Sequence, residues 1–217
     1  MKHSTMVITG CDSNTEWQLP WFLHNYMQHN STPITVADFG MSDDMLLHLE
    51  AIDVTVLYDA APESTSKGWF KKPRAVYRAT EFADVVCWLD TDCQVTGDIS
   101  GIFSHYKAGR LGMVQDRPWT KLRPGNGTWY NSGVIVSDRN YYLREWYVKC
   151  EHSPIAGDQE VLHNMYNEIQ KLSIIEPLPH KYNTLRLDYI HGINTNNPLI
   201  IHHTGFKGND TIRGMMQ

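Results

Sequence analysis

The chain has 217 residues, 41% of them hydrophobic, which suits one well-buried domain with at most a small extension. Its formal charge of −5 argues against a protein that grips a nucleic-acid backbone, because such proteins carry a net basic face. No run of about 18 apolar residues occurs, and the opening apolar stretch is too short for a signal peptide, so the expectation is a soluble, cytoplasmic chain with no membrane span.

In chain order, "MVIT" (6–9) reads as a strand and is followed by a segment from Glu16 to His29 with apolar residues at Trp17, Trp21, Phe22 and Tyr26, an amphipathic helix. Further strands are expected at "ITVAD" (34–38), "VTVLY" (54–58), "VVCWL" (85–89), "RLGMVQ" (110–115), "SGVIV" (132–136) and "PLIIH" (198–202). Helices are expected over Asp43 to Glu50, Pro73 to Ala83, Arg139 to Glu151 and Asp158 to Lys171, with Pro73 as a first-turn residue. Alternation of this kind predicts a single α/β domain over 1–217, a mostly parallel central sheet flanked by helices. The stretch 116–131, "DRPWTKLRPGNGTWYN", is the least regular and is a candidate substrate wall. Cys11, Cys87, Cys93 and Cys150 form no C-x-x-C pair, so neither a zinc knuckle nor a disulfide scaffold is indicated. Asn30, Asn126 and Asn209 stand in N-x-Ser/Thr patterns that are read as chance matches.

Ligands of an open parallel sheet collect outside the carboxyl ends of its strands. Three such ends carry acids here: Asp12 after the first strand, Asp38 after the second, and the pair Asp90 and Asp92 after "VVCWL". Two carboxylates one residue apart can reach a single hard divalent cation, Mg2+ or Mn2+. A solvated turn is the plain alternative, but the wholly apolar strand before the pair would hold it rigidly at a sheet edge. A haloacid-dehalogenase-type phosphatase also has D-x-D after an apolar strand, with the first Asp as nucleophile. There the motif belongs to the first strand, and no downstream lysine and acidic pair follows here.

Five motifs stand in order: "WLDTDCQV" (88–95), "YNSGVIV" (130–136), "GDQEVLH" (157–163), "LPHKYN" (178–183) and "HHTGFKG" (202–208). Together they resemble the D-x-D, F-N-x-G, D-Q, L-P-x-x-x-N and H-x-x-G elements of the GT-A glycosyltransferases, particularly the glycogenin-like and bacterial lipopolysaccharide galactosyltransferase group. The opening "ITGCDSNTEWQLPWFLHNY" with "GWFKKPRA" is similar also to the amino-terminal domains of large algal-virus proteins that glycosylate capsid glycans. The terminal motif departs from the group's pattern: Lys207 follows Gly205 after one residue, and no Pro-Trp comes next.

The resemblance implies a GT-A (Rossmann-like) fold and a metal-dependent transfer of a hexose or deoxyhexose, from a nucleotide sugar, UDP-linked by preference, to a glycan or protein-linked acceptor, with retention of configuration. It implies Mn2+ or Mg2+ on Asp90, Asp92 and His202, with His203 as the rival ligand. Donor contacts are implied at Thr9, Gly10, Asp12, Asp38, Lys72, Arg74, Thr91 and Lys207, with Arg74 preferred over Lys72 and Arg78 left to the solvated face of the helix. Asn131, Ser132, Asp158 and Gln159 are implied around the reacting carbon, where an oxocarbenium-like charge develops. Further domains of the same polypeptide are compatible with this reading, as are host cytoplasm and capsid-glycan synthesis. The alternatives are a metal-dependent phosphatase or nucleotidyltransferase, and a nucleotide-sugar-binding module without turnover.

Overall fold

The computed structural model describes residues 3–60, 68–155, 157–193 and 196–217. In its first half, β1 (His3–Cys11), α1 (Leu19–His29), β2 (Ile34–Asp38), α2 (Asp43–Ala51), β3 (Thr55–Leu57), α3 (Gly68–Ala79), β4 (Ala83–Leu89) and β5 (Cys93–Val95) follow in turn. Then come β6 (Leu111–Gln115), α4 (Arg117–Leu122), β7 (Tyr130–Ser137), α5 (Tyr141–Glu151), α6 (Asp158–Met165) and α7 (Glu168–Ile174). The last elements are β8 (Ile175–Pro177), β9 (Thr184–Leu185), α8 (Arg186–Ile190), β10 (Ile200–His202) and α9 (Gly205–Met215).

The main sheet runs β3-β2-β1-β4-β7-β6-β8. Only β7 is antiparallel to its neighbours, β4 and β6; the other pairings are parallel. This is the expected α/β architecture. On one face Val7, Val36, Cys87, Leu89 and Val136 pack with Leu19, Phe22 and Leu23 of α1; on the other Ile8, Val86, Trp88 and Ile135 pack with Ala75 and Val76 of α3 and Trp146 of α5. A central strand covered on both faces has no polar side, which is why β4 reads as an unbroken apolar run from Val85 to Leu89.

The small sheet β5-β10-β9 positions the site. Its strand β5 starts directly after Asp92, and β10 pairs antiparallel to it with His202 opposite Cys93. That register brings the last strand to the D-x-D turn, and the His203 amide donates to the Asp92 carbonyl at 2.9 Å.

Several expected boundaries shift. Helix α3 spans Gly68–Ala79, so Pro73 lies inside it rather than in a first turn. The only intrahelical bond Pro73 forgoes is to the carbonyl of Trp69, near the start of the described helix, where the loss is least disruptive. The single helix expected over Asp158 to Lys171 is two. Tyr166 is extended, and Asn167 opens α7 with a capping box in which its side chain accepts from Gln170 N while the Gln170 side chain accepts from Asn167 N. Helix α5 begins at Tyr141, capped by the Asn140 side chain on Leu143 N, rather than at Arg139.

Candidate active site

The end of β4 explains its own sequence. Trp88 and Asp90 lie on the same side of the strand, and the indole Nε1–H donates to Asp90 Oδ1 at 2.6 Å. The Asp90 amide extends the ladder by donating to Gly133 O of β7 at 2.8 Å. The carboxylate is therefore aimed by a buried ring and a fixed backbone.

Asp90, Asp92 and His202 converge. His202 Nε2 is 3.0 Å from Asp92 Oδ1 and 3.8 Å from Asp90 Oδ2. His202 Nδ1 faces the amide oxygens of Asn131 and Asn183, both at 3.1 Å, so Nδ1 carries a proton and Nε2 is the nitrogen turned to the carboxylates. Burial opposes the imidazolium, but Asp92 outweighs it and raises the His202 pKa; Asp92 is correspondingly lowered by His202 against its own burial. Gly133 makes room for this ring, since a Cβ there would overlap the His202 imidazole.

These groups suit a hard divalent cation: two carboxylates and a histidine whose free nitrogen is selected by its other hydrogen bonds. Cys93 Sγ is also close to Asp92 and His202. Burial and the Asp92 and Asp90 carboxylates hold the Cys93 thiol well above its ordinary pKa in the metal-free protein, and a hard divalent cation prefers carboxylate oxygen to sulfur. Asp90 is the better third ligand. His203, the rival ligand, turns its Nε2 to Gln94 Oε1 at 3.1 Å.

Lys72 of α3 is buried and bridges the two halves of the site. Its ammonium is 3.0 Å from Asp90 Oδ1, 3.2 Å from Asp158 Oδ2 and 3.0 Å from Ser132 O. Burial disfavours its charge, but Asp158 and Asp90 outweigh burial and raise its pKa. Burial raises the Asp158 pKa, with Lys72 opposing. The Asp158 carboxylate and the Lys72 ammonium form a buried ion pair at 3.2 Å.

Behind this lies a layer of amides. Asn131 Nδ2 donates to Gln159 Oε1 at 3.0 Å, Gln159 Nε2 donates to Asp116 Oδ2 at 3.0 Å, and Asn183 Nδ2 donates to Asn131 Oδ1 at 2.8 Å. Asp116 and Asn183 are absent from the residues expected on sequence grounds. Asp116 ends β6 as Asp12, Asp38 and Asp90 end theirs, so the strand-end rule would have found it; Asn183 closes the "LPHKYN" motif.

In front is a cavity of about 780 Å3, lined by Gly10 at the end of β1 and Asp12 and Thr15 just after it, by Lys72, Asp90, Thr91 and Asp92, and by Trp69, Phe206 and Asn209. Gln18 lines it too, accepting from Thr91 Oγ1 at 2.7 Å and donating to Asn209 Oδ1 at 2.8 Å, so it ties the D-x-D turn to α9. Sequence reasoning missed Gln18, because a glutamine in an amphipathic helix carries no signal of its own.

Of the other expected donor contacts, Arg74, Lys207, Thr9 and Asp38 do not line the cavity, whereas Asp12 and Gly10 do. Arg74 pairs with Glu151 of α5 at 2.6 Å, so α3 presents Lys72, and not Arg74, to the cavity. The Lys207 side chain is exposed on α9, whose cavity residues are Gly205, Phe206 and Asn209. Thr9 is fully buried, and Asp38 caps its own turn by accepting from Gly40 N and Met41 N at 2.8 and 2.9 Å. Asp12 also caps a turn, accepting from Thr15 Oγ1 at 3.0 Å, yet it lines the cavity. Gly10 lines the cavity as well, but its missing side chain is required by β2: a Cβ would lie 2.8 Å from Ala37 O.

No family model matches the chain, and no curated protein matches it by sequence. Solved structures do match. The galactosyltransferase LgtC, in complex with donor and acceptor sugar analogues, superposes with a TM-score of 0.65 at 14% identity, over 92% of this chain and 87% of that one. The glycosyltransferase GlyE of Streptococcus pneumoniae TIGR4 matches at TM-score 0.67 and 18% identity, over 94% of this chain and 55% of its own. A glycosyltransferase involved in glycosylation of the major capsid of PBCV-1 matches at TM-score 0.60 and 12% identity, over 98% of both chains. The fold is thus that of the GT-A glycosyltransferases.

Proposed function

We propose that this GT-A chain is a metal-dependent glycosyltransferase that moves a hexose or deoxyhexose from a nucleotide sugar, UDP-linked by preference, to a glycan or protein-linked hydroxyl with retention. The observation that carries the reading is the convergence of Asp90 and Asp92 from the end of β4 with His202 from β10, the two carboxylates lining a cavity that reaches the end of β1 and the buried imidazole standing against them.

The nucleoside rests in this reading over Gly10, Asp12 and Thr15, with the diphosphate toward Asp90, Asp92 and His202. Two carboxylates repel a diphosphate by about 4 kcal/mol per pair of charges at about 4 Å and an effective dielectric near 20. A bound Mn2+ or Mg2+ would reverse that sign and stabilise the departing nucleoside diphosphate. Lys72 stays charged and offers a donor to a phosphate or sugar oxygen at the cavity's inner end. Asp158 and Gln159, with Asn131 and Ser132, are the groups that this reading assigns to the positive charge developing at C1.

The phosphatase reading is disfavoured by Asp90, whose carboxylate is held by Lys72 and by the Trp88 indole rather than free to attack phosphorus. The likeness to the PBCV-1 protein puts capsid glycans among the acceptors to test, with the chain acting alone or as one domain of a longer polypeptide. Incubation with Mn2+ and a panel of nucleotide sugars is the test. Release of nucleoside diphosphate supports transfer, release of inorganic phosphate supports a phosphatase, and binding without turnover supports a non-catalytic module.

A further inference from the structure

Three side-chain amides meet in the layer behind the cavity, and their orientations can be deduced from two fixed ends. At one end the Gly133 N–H donates to Asn131 Oδ1 at 2.9 Å, and a backbone N–H can only donate. Asn131 must therefore turn its Nδ2 the other way, toward Gln159 at 3.0 Å. The Ser132 N–H, a second backbone donor, points at the same Gln159 oxygen at 3.4 Å. At the other end Asp116 is 1% exposed, and its carboxylate can only accept while ionised. Its Oδ2 takes the Gln159 Nε2–H at 3.0 Å and a longer bond from Asn131 Nδ2 at 3.4 Å, while its Oδ1 accepts from Trp119 N at 2.9 Å as the N-cap of α4. Both ends demand the same orientation of Gln159.

We infer that Asp116 is the positioning residue that holds the Gln159 amide with its oxygen toward Asn131 and Ser132 and its nitrogen away from the site. The inference rests on the glycosyltransferase reading, in which the oxygen of Gln159 serves the reacting carbon. An amide turned over would present N–H donors to a developing positive charge and to the Asn131 and Ser132 donors, leaving buried polar groups mismatched. The alternative, that Asp116 merely caps α4, makes a different forecast: asparagine caps as well as aspartate, so capping alone leaves the Asp116→Asn protein unimpaired.

The test is a reciprocal exchange. Asp116→Asn removes the obligate acceptor facing Gln159 but keeps the cap. Gln159→Glu alone sets two carboxylates against each other. The double variant D116N/Q159E restores complementarity, because the introduced amide at 116 donates to the introduced carboxylate at 159, which still accepts from Asn131 and Ser132. Nucleoside diphosphate release is measured with Mn2+ and the donor most active with the parent, alongside donor KM and thermal melting. Each single variant is expected to lose about tenfold or more in kcat with donor KM within about twofold, and the double variant to recover to within about threefold of the parent. A double variant no more active than D116N, or a D116N protein as active as the parent, overturns the proposal. A parent that turns over no donor overturns the reading beneath it as well.

Discussion

His202 Nε2 lies 3.0 Å from Asp92 Oδ1, and each shifts the other's titration: Asp92 raises His202 above the ordinary 6.5, and His202 lowers Asp92 below the ordinary 3.8. The imidazolium's contribution to stability is complete below 6.5 and is lost as pH rises through the raised value in the folded protein. The carboxylate's contribution is complete above 3.8 and is lost as pH falls through its depressed value. The metal-free pair therefore stabilises the fold fully between the ordinary values of 3.8 and 6.5. A metal ion must displace the Nε2 proton, so Mn2+ affinity is expected to climb with pH through the raised His202 value, with about one proton released per ion. Calorimetric titrations of Mn2+ in buffers of different ionisation enthalpy check the proton count.

Lys72→Met is expected to destabilise the protein by about 3–5 kcal/mol, because Asp158 and Asp90 lose the cation between them. The loss should shrink toward low pH. Asp158 already sits above the usual carboxylate range through burial, and protonating it removes the uncompensated charge. Urea unfolding of parent and variant at neutral and acid pH measures both effects.

Much of this arrangement was legible in the sequence, and the exceptions have physical reasons. Asp90 and Asp92 could be read because an apolar run followed by two acids is a local pattern that the strand itself enforces. His202 could be read from the terminal motif, although the register of β10 against β5 that brings it to Asp92 depends on pairing between distant segments. Which of Lys72 and Arg74 faces the cavity could not be read. A charged residue on a helix is ordinarily solvated, and only the distant carboxylates of Asp158 and Glu151 decide that α3 buries the lysine and ties the arginine to α5. The break between α6 and α7 was written in the Asn167 to Gln170 capping signal but was masked by the apolar periodicity around it.

Gly133→Ala should abolish the metal site without touching a ligand, since the added methyl takes the place of the His202 ring. The expected outcome is a loss of Mn2+ affinity comparable to that of His202→Ala, together with a lowered melting temperature from the displaced neighbours. Mn2+ titration monitored by electron paramagnetic resonance, on both variants, makes the comparison.

Gln159→Ala separates binding from chemistry. Gln159 sits behind the cavity rather than among its lining residues, so donor affinity should change little while turnover falls by about tenfold or more. Equal turnover in variant and parent would move the reacting carbon toward residues 116–131, the stretch expected on sequence grounds to be a substrate wall.

The most direct measurement is a calorimetric titration of UDP, the part of the donor that is independent of the sugar, into the parent and Asp92→Asn proteins with Mn2+ and with chelator. Binding by the parent that needs Mn2+, and that weakens at least about tenfold in Asp92→Asn, is the expected result. UDP binding that is unchanged by chelator and by Asp92→Asn, or absent from the parent, would contradict it.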